Sequence, residues 1–147
     1  MSPQMRFLLT NSHRFNKVEK VKKDIDKTLQ FAANEYYLGR KKSIYDKLQR
    51  LLNDYYINEH TKKVYGIPFN DNLTIEQLNK IEDSIWETVP VNIDIYNKPY
   101  PNYESREYIA VTGLFRLRSA LLALSKILPL ERRAKVTLAD LRKLFKF

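Results

Sequence analysis

The chain contains no cysteine, which removes disulfides, zinc–thiolate sites, iron–sulfur clusters and thiol chemistry together. Histidine is nearly absent as well: His13 and His60 stand alone, in polar surroundings near expected helix ends, and read as surface residues. A histidine-activated nucleophile or a metal site of the HExxH kind therefore has no visible residue set. The three glycines, Gly39, Gly66 and Gly113, lie too far apart to form a dinucleotide fingerprint or a phosphate loop. Paired carboxylates occur only as Asp24/Asp26 and Glu82/Asp83, on expected helix surfaces where solvation accounts for them. No run approaches the ~18 apolar residues that span a bilayer. The stretch from Ala120 to Leu124 is cut short by Ser125 and Lys126. These absences point to a protein that is not an enzyme, with no cofactor, no metal and no integral membrane segment.

What is present is apolar, aromatic and basic. An apolar fraction of 44% with 12% aromatics is enough to form a core, so a wholly disordered chain is excluded. At 147 residues one domain is expected. The charge is unevenly placed. Residues 1–63 hold 14 Lys and Arg against 7 Asp and Glu, residues 64–105 hold 2 against 7, and residues 106–147 hold 10 against 3. The net +9 is thus a balance of two basic ends and an acidic middle. Clustered cations of this kind suit a polyanion, because each phosphate contact releases condensed counterions. The competing expectation is that the acidic middle docks on the basic helices and neutralises them.

The periodicity is helical. From Phe15 to Leu38 the residues Val18, Val21, Ile25, Leu29, Ala32 and Tyr36 recur every three or four positions and define one face. Lys20, Lys22, Lys23 and Lys27 line the opposite face. The first 14 residues carry Arg6 and Arg14 and no acid; they read as a basic N-terminal arm or a frayed first turn, with the acid-poor character of an organelle transit peptide. Ser43 is placed to cap a second helix with Ile44, Leu48, Leu51, Leu52 and Tyr55 inward. Alternatively Gly39 sits inside one longer helix, at a cost of about 1 kcal/mol relative to alanine.

Thr74 and Gln77 form a capping box, with Leu73 and Leu78 in the staple positions, and predict a helix through Ile81, Ile85 and Val89 that stops near Pro90. Residues 90–102 hold three prolines and alternate apolar with polar side chains, which predicts an extended surface strap. Its Ile93, Ile95, Tyr96 and Tyr100 are expected to pack on the helices or on a neighbouring chain. A helix follows from Tyr103–Ser105 to Leu128, apolar almost all round from Ala120 onward apart from a narrow stripe of Thr112, Arg116, Ser119 and Lys126, and so central. Pro129 ends it. A last helix capped by Thr137 is expected to bury Leu138, Leu141 and Leu144 and to turn Arg142, Lys143 and Lys146 outward. Its opening, VTLADLRKLF at 136–145, resembles the first helix of helix-turn-helix repressors over fewer than a dozen residues. No recognition helix follows within the chain, so that likeness implies only a well-capped helix. The expected fold is all-α, a single bundle of four to five helices with the strap at residues 90–102.

The candidate interface follows from these faces. Tyr36, Tyr37, Arg40, Lys41, Lys42 and Tyr45 interleave rings with cations, and Arg50 with Tyr55-Tyr56 continues the pattern. Cations contact phosphates, while tyrosines add hydroxyls and stacking surfaces. The opposing expectation makes Tyr36, Tyr45 and Tyr55 core residues with wet hydroxyls. The nucleic-acid-binding set is Lys20, Lys22, Lys23, Lys27, Tyr37, Arg40, Lys41, Lys42, Arg50, Arg132, Arg133, Lys135, Arg142 and Lys143. The expected role is structural, in a nucleoprotein assembly with copies of itself or other subunits. A helical viral nucleocapsid on double-stranded DNA fits, as does an accessory RNA-binding protein of a mitochondrial ribosome. A protein–protein adaptor with basic ends is the reading from another class. The expected location is a virion or an intracellular nucleoprotein, with the mitochondrion as the alternative, rather than the secreted space.

Overall fold

The computed structural model describes residues 3–29 and 44–146, with side chains from residue 16 onward. The chain is mostly helical, as expected. Helix α1 spans Pro3–Leu29, α2 Ile44–Leu52, α3 Tyr55–Tyr65 and α4 Ile75–Trp86. Strands β1 (Val91–Ile93) and β2 (Pro99–Pro101) follow, then α5 (Arg106–Ser125), a 3₁₀ turn at Leu130–Lys135 and α6 (Leu138–Phe145).

Helix α5 is the central element, with α4 and α1 packed along it and α3 against α4. Its buried residues Ala110, Val111, Leu114, Leu117, Leu121 and Leu124 face Leu78, Ile81 and Ile85 of α4 and Ile25 and Leu29 of α1 in one apolar cluster. By length and composition α5 is long and apolar enough to cross a membrane, a property that counting uninterrupted apolar residues misses. Half of its most apolar window is buried among the other helices.

Helix α1 starts at Pro3, so the stretch expected to be an arm has a helical backbone. Proline suits a first helical position, where its missing N–H costs nothing. The expected face is observed where it is described: Ile25 and Leu29 are buried and Val21 packs against the core. Ala32, Tyr36, the Gly39 junction and the Ser43 cap lie outside the described residues.

The chain breaks after Leu52. Asp54 accepts the Ile57 N–H at 3.0 Å and caps a separate helix, α3. Tyr55 is thereby moved from the expected buried face of α2 to the exposed first turn of α3, at 68% exposure. Gly66 closes α3 with φ 74, where a side chain would be strained.

The capping box of α4 forms as expected. The Thr74 N–H donates to Gln77 Oε1 at 2.9 Å, and the Gln77 N–H donates to Thr74 Oγ1 at 3.3 Å. Leu73 and Leu78 are buried beside it. At α6 the Asp140 carboxylate accepts the Thr137 N–H at 2.9 Å. The two caps are neighbours: Thr74 and Thr137 form an antiparallel bridge, and the Ala139 N–H donates to the Asp71 carbonyl at 2.9 Å.

Residues 90–102 are not a strap but a hairpin. Val91 pairs with Pro101, Asn92 with Tyr100 and Ile93 with Pro99. The reversal is made by Asn97 at φ 62 and by the Asp94 carboxylate, which accepts the Tyr96 and Lys98 N–H groups at 2.8 Å each. Of its apolar side chains expected to pack, Ile93, Ile95 and Tyr96 are left 57%, 92% and 77% exposed among the described residues, whereas Tyr100, 37% exposed, stacks on Tyr103 with centroids 6.2 Å apart.

Candidate nucleic-acid interface

On α1 the exposed side carries Lys17, Lys20, Lys23 and Lys27, opposite the buried Ile25 and Leu29. Spacings of three and four residues put these lysines on one flank, and at 1.5 Å per residue they extend over about 15 Å. Lys22, expected with them, does not share this flank: at 3.6 residues per turn it falls on the side of Ile25 and Leu29, where it is half-buried with Nζ 3.6 Å from Glu19 Oε1. Among the described residues no ion pair reaches Lys17, Lys20, Lys23 or Lys27.

Helix α2 packs on α1 and adds Arg50, which lines an open hollow with Tyr45, Asp46, Gln49 and Asn53. Tyr45 is 47% exposed, so neither it nor Tyr55 is a core residue. Tyr55 meets Tyr56 edge to face with centroids 5.5 Å apart. Lys47, by contrast, is withdrawn from the surface at 1% exposure. Tyr37, Arg40, Lys41 and Lys42 lie outside the described residues.

The C-terminal cations are divided. Arg132, Arg133 and Lys135 sit on the exposed 3₁₀ turn, which buries no side chain. Arg132 Nη2 lies 3.9 Å from Asp140 Oδ1, a loose and solvated pair. Arg133 Nε donates to the Leu128 carbonyl at 3.1 Å, which holds the turn against the end of α5. Lys143 is exposed in the last turn of α6. Arg142 does not turn outward. It is half-buried, with Nη1 3.4 Å from Asp71 Oδ2, and its Nε is buried without a hydrogen-bond partner. The docking of α6 beside the Asp71 loop brings that carboxylate within reach, and a nearby acid holds a guanidinium more firmly than water does.

Two further polar contacts join the helices. Glu82, expected on a solvated surface, is 6% exposed and accepts from Arg118 Nε at 3.0 Å and Nη2 at 3.3 Å. Arg118 also lies over the Phe115 ring, 5.4 Å from its centroid. His60 is likewise no plain surface residue: its Nδ1 is 2.9 Å from Ser84 Oγ, linking α3 to α4. Burial first, and Lys63 second, hold the imidazole below its ordinary pKa. In the tautomer that carries its hydrogen on Nε2, Nδ1 accepts a hydrogen bond from the Ser84 hydroxyl. No carboxylate hydrogen-bonds its ring among the described residues, so the pair lacks the orienting group of a catalytic triad. Nor does any cluster of three or more His, Cys, Asp or Glu capable of holding a metal occur among the described residues.

The acidic middle therefore neutralises particular arginines, Arg118 through Glu82 and Arg142 through Asp71, and leaves the α1 lysines to solvent. Comparison with protein-family models, with curated proteins and with solved structures finds no match.

Proposed function

We propose that the protein is a non-enzymatic structural component of a large nucleoprotein assembly that binds the nucleic-acid backbone, as a coat protein along double-stranded DNA. The observation that carries this reading is the flank of Lys17, Lys20, Lys23 and Lys27, exposed and without ion pairs among the described residues. A row of ammonium groups on a regular helix is a phosphate-contacting surface that reads no base, since base recognition needs side chains placed at groove edges. Arg50, Lys143 and the cations of the 3₁₀ turn are further exposed cations for such contacts, and Tyr45 and Tyr55 offer exposed hydroxyls. The scaffold in this reading is one bundle of four to five helices, in which α5 fixes the position of α1.

A ribosomal accessory role rests on the same backbone chemistry, with RNA in place of duplex DNA. The adaptor reading draws on a different feature, the exposed apolar residues of the hairpin.

Fluorescence anisotropy with two DNA duplexes of unrelated sequence and one RNA duplex tests the proposal. The two DNAs are expected to bind alike, with log affinity falling linearly against log salt concentration. Absence of salt-sensitive binding at low ionic strength overturns it. Stronger binding to RNA than to both DNAs moves the assignment to the ribosomal setting.

A further inference from the structure

The two edges of the β1–β2 hairpin are chemically different. The Asp94 N–H donates to the Lys98 carbonyl at 2.9 Å, and the Asn102 N–H donates to the Pro90 carbonyl at 2.7 Å. Hydrogen-bonded and non-bonded positions alternate along an antiparallel ladder. Asn92 and Tyr100 therefore form the bonded pair between them, and Val91, Ile93, Pro99 and Pro101 direct their backbone polar atoms outward.

On β2 both outward positions are proline, so that edge has no donor to offer. On β1 they are Val91 and Ile93, whose outward N–H and carbonyl groups meet no partner among the described residues. All three residues of β1 are exposed, with Val91 at 62% and Ile93 at 57%. None is a lysine or a proline, the residues that commonly blunt an edge. Strand β1 is thus an open edge flanked by β-branched side chains, and an added strand is the occupant that satisfies it.

We propose that this occupant is β1 of a second copy, antiparallel and related by a two-fold axis through Asn92. The register is self-complementary. Val91 lies opposite the partner copy's Ile93, each donating to and accepting from the other, and Ile93 lies opposite the partner copy's Val91. Four β-branched side chains then share one face of a continuous sheet made from both hairpins. On the other face the two Asn92 amides meet at the axis, where each can donate to and accept from the other. No like charges are set opposite one another, since Asp94 faces Pro90 of the second copy and its carboxylate is already held by the turn. A closed, isologous contact of this kind follows from any self-complementary strand edge. The inference does not depend on nucleic-acid binding.

The absence of native cysteine supplies the test. In Asn92→Cys the new thiol is the only one in the chain, so any disulfide joins two copies. Residues facing each other at a non-bonded antiparallel position have Cα atoms about 4.5 Å apart, within disulfide range. In Ile95→Cys, at the exposed hairpin tip, the two-fold register separates the thiols by about 20 Å. Asn92→Cys is expected to cross-link at least about tenfold faster than Ile95→Cys under mild oxidation, a difference set by that geometry. Adding Ile93→Pro, which removes an outward donor, or Ile93→Lys, which places like charges at the edge, should return Asn92→Cys to the slower rate. Circular dichroism checks that each variant keeps its helices. Equal rates for the two cysteine variants overturn the proposal, as does fast cross-linking that neither Ile93 substitution slows in a folded chain.

Discussion

Glu82 and Arg118 form a two-point ion pair across the α4–α5 interface, with Nε–Oε2 at 3.0 Å and Nη2–Oε1 at 3.3 Å and the carboxylate almost fully buried. A pair in this position is costly to break from one side, because the remaining charge stays in the interior. Arg118→Met is expected to destabilise the fold by about 3 kcal/mol. Glu82→Leu combined with Arg118→Met should recover most of that loss, since two apolar chains leave no stranded charge. Urea denaturation of both variants checks this, and an additive double variant would show that the pair is not coupled.

Thr74→Ala removes the acceptor of the Gln77 N–H and should cost about 1 kcal/mol. Thr74 is also the bridge partner of Thr137, so docking of α6 should loosen at the same time. Hydrogen exchange at residues 138–145 should rise, while salt-dependent nucleic-acid binding stays unchanged.

Lys20→Gln, Lys23→Gln and Lys27→Gln together remove three candidate phosphate contacts from a surface that supports no packing. Melting should stay nearly unchanged, and the log–log salt slope should fall by about 2.7 for duplex DNA. Arg142→Gln should behave in the opposite way, losing stability with the Asp71 contact and leaving the slope almost intact. An undiminished slope in the lysine variant would remove α1 from the interface.

His60 supplies a pH dependence. In the unfolded chain its imidazole takes up a proton near its ordinary value of 6.5, whereas burial and Lys63 delay protonation in the folded state. Below that pH the unfolded chain binds more protons, so acid favours unfolding at this site. The His60 contribution is complete above the unfolded pKa and is lost as pH falls towards the folded one. Stability of His60→Gln, measured by urea denaturation from about pH 8 to about pH 5, should decline less steeply than that of the parent chain.

The features legible in the sequence are those decided within a few residues. The Thr74–Gln77 box needs only its own turn, and the Val21–Ile25–Leu29 face with its opposing lysines needs only the helical period. The hairpin was hidden because alternation from Val91 to Pro101 marks extended chain without marking the reversal. That reversal depends on one left-handed residue, Asn97, and on how the Asp94 carboxylate is spent. Asp54 is a readable cap, but the continuing run of Leu52, Tyr55 and Tyr56 masks the break between α2 and α3. At the interface, the exposure of Lys20, Lys23 and Lys27 follows from periodicity. The diversion of Arg142 to Asp71 and of Arg118 to Glu82 does not, because those partners meet only after distant helices dock.

Growth by strand addition demands two usable sides, one to receive a neighbour and one to offer to the next. Pro99 and Pro101 leave this hairpin with a single usable side. Its bonding capacity is exhausted by one encounter, and the chain cannot run on into a fibril through this element. An exposed, β-branched segment that would otherwise be an aggregation hazard is thereby given a valence of one. Any longer array must take its repeat from elsewhere, such as the path of a bound polyanion.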